Sequence, residues 1–190
     1  MTRRSFLLWL LVLPAATAWA VQPEDDGIAV TVRRQGEVIT VHTSAYVPVP
    51  PQQVWAVLTD FDHMTEIIED LEMSRIVGHA GNKVIVQQKG KAARGPLSFS
   101  FESVREIELK PYEEMRGHLI SGTMKKSDGV TRLIPEGEGT RIDSRGEFIP
   151  DIWVPPIIGV KIIEHETRGQ FEEIRKEILR RSKRSALSAH

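Results

Sequence analysis

Between about Pro156 and Lys183 the chain carries a one-sided apolar stripe, and a helix with such a stripe cannot stand alone in water. Val160, Ile163, Thr167, Phe171, Ile174 and Ile178 follow one another at steps of three or four. At about 3.6 residues per turn they share one face, and charged residues fill the other. Pro155 and Pro156 suit a first turn, where backbone N–H groups lack internal acceptors. Glu164 with Arg168, Glu172 with Lys176 and Glu177 with Arg181 are four apart in the favourable order, each pair adding about 0.2–0.5 kcal/mol. Gly169 in the interior costs about 1 kcal/mol relative to alanine. Burying the stripe's aliphatic and aromatic side chains, at ~1.5–3 kcal/mol each, outweighs that cost. The spacing predicts a long helix that forms on docking, and it demands a partner surface.

The chain starts with an address rather than with part of that surface. Arg3 and Arg4 precede an apolar run from Phe6 to Ala16, and Ala18-Trp19-Ala20 has the small-residue pattern of a cleavage site. The run is about half the ~20 residues that span a bilayer. Residues 1–20 therefore read as a cleavable export signal, and the protein as exported, to the periplasm, after cleavage at Ala20. Thr2-Arg3-Arg4-Ser5-Phe6-Leu7 also resembles the twin-arginine pattern, so both export routes stay open. The remaining ~170 residues suit one domain with its own core. Residues 21–36 read as a leader with an extra strand, 37–184 as the domain, and 185–190 as a disordered tail. The chain has no cysteine, so it has no disulfide framework, thiolate nucleophile or cysteine metal site. Without Arg3 and Arg4, 23 basic residues face 26 acidic ones, a net −3 that argues against a nucleic-acid binder.

Ile28 to Arg34 and Val38 to Val47 are β-rich and separated by Gln35-Gly36-Glu37, which predicts a hairpin. Pro48, Pro50 and Pro51 stop the second strand and start a short helix, Gln52 to Leu58, whose buried side is Val54, Trp55, Val57 and Leu58. Asp60 to Ile68 reads as a break and a second short helix capped by Asp60 or Asp62. From Leu71 the period changes to two, predicting strands at about 71–79, 83–89, 96–109, 113–122, 127–135 and 139–149. Leu97, Phe99 and Phe101 alternate, and Val104, Ile107 and Leu109 fall out of step, which predicts a β-bulge near Ser103. Ile142, Ser144, Gly146 and Phe148 face one way, and Arg141, Asp143, Arg145 and Glu147 the other, giving a sheet with a dry and a wet side. The order is strand, two short helices, a meander of strands and one long helix across the dry side, an α+β class.

Val49-Pro50-Pro51-Gln52-Gln53-Val54-Trp55-Ala56-Val57-Leu58-Thr59-Asp60-Phe61 resembles the opening signature of the polyketide cyclase/Coq10-like branch of the START-related superfamily (SRPBCC). Leu133-Ile134-Pro135-Glu136-Gly137-Glu138-Gly139-Thr140-Arg141-Ile142 resembles that branch's penultimate hairpin. The resemblance covers about residues 37–182 and implies a helix-grip fold, a curved antiparallel sheet wrapped around a long C-terminal helix. The chain departs from the family after Phe61, with Met64, Thr65 and Ile67 where an aromatic, a proline and an aromatic are usual, and Glu69 where a further proline is.

A bent sheet gripping a helix tends to leave an apolar hollow, and such hollows take small molecules. The family likewise binds lipids, quinones and polyketides there. Candidate walls are Phe99, Phe101, Phe148, Val160, Ile163, Thr167 and Phe171, with Phe61 and Met64 near the mouth; the same residues would equally fill a packed core. Thr167 is the polar residue in mid-stripe and Glu164 flanks it one turn earlier, so either could pair with a ligand hydroxyl or carbonyl. Alternatively the threonine bonds a backbone carbonyl and the glutamate lies in solvent. Lys89, Lys91 and Arg94, with Lys125 and Lys126, and Ile152-Trp153-Val154 suggest transient contact with a membrane or an anionic head group. The competing reading has solvated basic loops and Trp153 packed beneath the helix.

Signals of chemistry are thin. His165-Glu166 starts like a zinc protease motif, but Gly169 stands where its second histidine belongs. His63 lies near Asp60 and Asp62, an arrangement that serves acid/base work or simply a helix cap. His42 and His118 sit on strands with no partner visible in the sequence. The acidic run from Asp60 to Glu72 has no glycine-punctuated calcium loop. The sequence thus implies no metal and no cofactor, and it sets no oligomeric state. The leading expectation is a non-catalytic exported carrier of a lipid or other hydrophobic small molecule. The alternatives are a protein-interaction module with a closed core, or a cyclase/aromatase-like enzyme, against which the export signal weighs.

Overall fold

A computed structural model describes residues 27–94, 97–152, 154 and 158–188, with backbone alone for 92–94 and 97–99. The export signal, Trp153, Pro155 and Pro156 lie outside the described residues, as do the side chains of Phe99 and Arg94. β1 (Ile28–Gln35) and β2 (Val38–Val47) form the expected hairpin. Gly36 takes φ 64 at its turn, a conformation glycine reaches without a Cβ clash. β3 (Leu71–Ala80), β4 (Lys83–Arg94), β5 (Leu97–Lys110), β6 (Glu114–Gly122), β7 (Met124–Glu136) and β8 (Gly139–Pro150) form an antiparallel meander. β8 returns to pair with β2, giving one eight-stranded sheet in the order β1-β2-β8-β7-β6-β5-β4-β3. α1 (Pro51–Leu58) and a 3-10 turn (Phe61–Glu66) lead from β2 to β3, and α2 (Ile158–Ser188) follows β8. This is the α+β helix-grip fold.

The periodicities explain most of it. Pro51 sits in the first turn of α1, with Pro50 extended at its N-cap position. The buried Thr140 hydroxyl donates to the Val49 carbonyl at 2.7 Å, tying the end of β2 to the start of β8. The main core lies where β1, β2 and β8 meet α1 and the C-terminal half of α2. Val47, Val54, Val57, Ile142 and Ile178 have no exposed surface there. Polar contacts fix the helix on this side. Arg175 Nε donates to the Tyr46 carbonyl at 3.2 Å, and Arg181 pairs with Asp60 at 2.8 Å.

Three expectations change. The register shift falls at Val104/Arg105, and the extra residue is Ile120 on β6; β5 pairs with β4 without interruption. Phe101, Ser103, Arg105, Ile107 and Leu109 therefore stay in step on the inner side, and polar residues at two inward positions had imitated a change of phase. Asp60 does stand at the N-cap of the 3-10 turn, but its side chain makes no capping hydrogen bond: it pairs with His63 and Arg181, and Asp62 Oδ1 accepts from the Ile76 N–H at 2.7 Å. The helix continues to Ser188, so 185–188, expected in a tail, are helical.

Glu114, buried at the start of β6, gathers Arg116 at 2.7 Å, Arg132 at 2.9 Å and Lys110 at 3.3 Å. The Arg116 hydrogen bond, working against burial and helped by Lys110, holds its carboxyl at about 2, down from 4.5. Glu177 is also held at about 2, by Arg180 first and then Arg181. A carboxyl lowered in the folded state stabilises above its unfolded value, and that contribution is lost as pH falls through the folded one. Melting temperature should therefore hold down to about pH 4.5 and drop between there and about pH 2. Glu114→Gln should remove part of the drop and Glu114→Gln/Glu177→Gln more of it. An unchanged slope in both variants would refute the assignment.

Candidate functional site

Between the inner face of β5–β8 and the N-terminal half of α2 lies a cavity of about 840 Å³. Its walls are predominantly apolar, with Phe61, Phe101, Ile107, Met115, Phe148 and Ile163 among them, and Met124, Ile152 and Val154 toward one end. A small polar set is interspersed, including the Thr131 and Ser144 hydroxyls, which bond each other at 3.0 Å.

Glycines make the room. The registers pair Gly117 with Gly129 and Gly129 with Gly146, so three adjacent strands present no side chain side by side on the inner face. A Cβ at Gly117 would meet nothing within 4 Å, and at Gly129 and Gly146 only ordinary contacts at 3.5 and 3.6 Å. Packing does not require these glycines; they leave the wall one backbone thick. On the other side of the same row runs a polar groove of about 810 Å³ on the outer face.

The cavity looks at the flank of the predicted stripe rather than its centre. At about 100° per residue, Val160, Phe171 and Ile178 form one line, and Gly159, Ile162, Ile163, Glu166, Thr167 and Gln170 lie to one side of it and line the cavity. The hollow opens beside the ridge that α2 packs into the core. Of the candidates, Phe61, Phe101, Phe148, Ile163 and Thr167 are on the wall. Met64 is buried in the core, Phe171 packs against it, and Val160 is half-buried off the wall. Glu164 falls on the opposite flank and is exposed, so Glu166 is the glutamate that reaches the cavity.

The inward position of Arg105 escaped the sequence reading. It lines the cavity from the middle of β5, and its Nε is buried without a hydrogen-bond partner. The signal available in the sequence was its odd-numbered place between Phe101 and Ile107, five strand positions kept in step. Burial, with no other cause, lowers its guanidinium from the ordinary value.

The surface candidates divide. Lys89 and Lys91 are exposed and make no ion pair among the described residues, whereas Lys125 pairs with Glu37 and Lys126 with Asp128 and Glu147. Ile152, on the cavity's lining, is 57% exposed. The histidines sit elsewhere. His63 pairs with Asp60 at 2.6 Å in an exposed position, and that hydrogen bond raises its ring. Burial would raise the Asp60 carboxyl, but His63 and Arg181 outweigh it and hold the group low. His42 and His118 gain cross-strand partners that were not legible in the sequence, Asp143 at 2.7 Å and Asp128 at 2.5 Å, on the outer face. Among the described residues no histidine lines the inner cavity, and no group of three or more His, Asp or Glu is placed to hold a metal ion.

Residues 47–175 match the family described as polyketide cyclase/dehydrase and lipid transport. No curated protein matches the sequence significantly. Similar solved structures include the Zhui aromatase/cyclase from Streptomyces sp. R1128, with 15% identity, TM-score 0.64, and 76% of this chain and 96% of that one covered. A START superfamily protein from Mycobacterium smegmatis is similar at 12% identity and TM-score 0.63, covering 74% and 97%. A STAR-related lipid transfer protein from Xanthomonas axonopodis is similar at 11% identity and TM-score 0.63, covering 80% and 99%. At these identities the likeness shows the fold.

Proposed function

Because the chain belongs to the polyketide cyclase/dehydrase and lipid transport family, we propose that it is an exported, periplasmic carrier holding a lipid or other hydrophobic small molecule between sheet and C-terminal helix. The observation that carries this reading is the 840 Å³ apolar cavity, within the roughly 300–1,000 Å³ range of small-molecule sites. An open hollow favours a carrier over a closed interaction module. Among the described residues the histidines lie outside the hollow, which favours a carrier over a cyclase. The basic start, apolar run and Ala-x-Ala of residues 1–20 support export. Exposed Lys89 and Lys91, with Ile152 at the cavity's end, support brief contact with an anionic membrane surface during exchange.

Native mass spectrometry of the protein purified from its own cells, followed by solvent extraction, tests the reading. A stoichiometric hydrophobic adduct on a chain starting at Val21 is expected. A bare mass that stays bare after incubation with total lipid and quinone extracts would count against the carrier, and a chain starting at Met1 against export.

A further inference from the structure

The inner wall of β5 carries one group that a purely apolar cargo does not explain. Register places Arg105 beside Val86 on β4 and Leu119 on β6. Its Nε is sealed from solvent without an acceptor, and among the described residues no carboxylate lies within ion-pair distance of it. Elsewhere the fold supplies such partners: Arg116 and Arg132 share Glu114, Arg145 has Asp143, and Arg180 and Arg181 share Glu177. An arginine keeps its charge at any physiological pH, so burial cannot be relieved by losing the proton. Leaving a charge in an apolar wall is costly unless an opposite charge meets it.

We propose that the cavity takes an amphiphile with one acidic group, and that Arg105 is the residue that pairs with that group. The inference rests on the carrier reading and narrows its cargo from hydrophobic to acidic-headed. A planar guanidinium fork matches a carboxylate or a phosphate in two parallel hydrogen bonds. Phe101 and Ile107, on the same side of β5 as Arg105, and Phe148 and Ile163 across the hollow take the apolar body. Burial as the sole cause of the lowered guanidinium value agrees with a cation that no protein carboxylate serves. The cargo brings the counter-charge that none of the wall's carboxylates supplies to Arg105, which makes the head group a condition of tight binding rather than a passenger.

The test uses the mature chain and displacement of the neutral fluorophore N-phenyl-1-naphthylamine by hexadecanoate, hexadecyl phosphate and hexadecanol. Wild type should prefer at least one anion over the alcohol by on the order of tenfold or more, and the stronger anion names the head. Arg105→Met keeps a flexible apolar stem and removes the charge. It should lose the preference for acids over the alcohol, and melt no lower. Arg105→Lys, with charge but no fork, should retain a smaller preference. Equal affinity for acid and alcohol in wild type, or an undiminished preference in Arg105→Met, would overturn the role of Arg105 and leave the carrier standing. Failure of wild type to bind any of the four probes would overturn both.

Discussion

Ile178→Ala should be the most damaging single truncation on the long helix, lowering stability by ~2–5 kcal/mol. The side chain has no exposed surface and sits with Ile174 where α2 crosses the main core. Deleting it loses both its transfer from water and the packing around the void left behind. Against a typical total of about 5–15 kcal/mol, that is a large fraction. At about 2–4 °C per kcal/mol for a chain of this size, melting should fall by several to more than ten degrees. Ile158→Ala, on the same helix but 60% exposed, should change it little. A similar small shift for both would mean that the C-terminal half of the helix does not anchor to the sheet.

Gly117→Leu should have the opposite signature, weakening N-phenyl-1-naphthylamine binding by on the order of tenfold or more while leaving the fold intact. The new side chain projects from β6 into space where a Cβ meets nothing within 4 Å, and that space is the cavity. Replacing a mid-strand glycine also relieves a backbone entropy cost of about 0.5–1 kcal/mol, so melting should stay level or rise. Gly90 supplies the contrast. A Cβ there would run into the Asp70 carbonyl and the Phe101 ring, so Gly90→Ala should destabilise instead. Unchanged fluorophore affinity in Gly117→Leu would remove the cavity as the binding site. A lowered melting temperature would show the wall to be packed.

The glycines and Arg105 show where legibility ended. Gly146 was placed on the dry side from the alternation of Ile142, Ser144 and Phe148, and the structure agrees. That it stands beside Gly129 and Gly117 depends on the pairing of three strands, and a row across a sheet has no trace in the alternation along any one of them. Arg105 was hidden by the rule that located its neighbours, because an inward cation looks like a break in an apolar period. His42 and His118 found their aspartates the same way, through cross-strand register.

By itself the sequence determined the order of elements, the turns, the wet and dry faces of the strands and the existence of a long helix needing a surface. These follow from proline and glycine punctuation and from periods of two and about 3.6, which act within a few residues of chain. Tertiary structure alone decided which side of that helix meets the core and which meets the hollow, so that Gln170 and Glu166 line it where Phe171 and Glu164 do not. It also decided that an arginine faces inward and that three glycines align to make room. The physical reason is that helix rotation and strand register are set by packing between distant segments, and an apolar stripe has the same spacing whether it fills a core or walls a cavity.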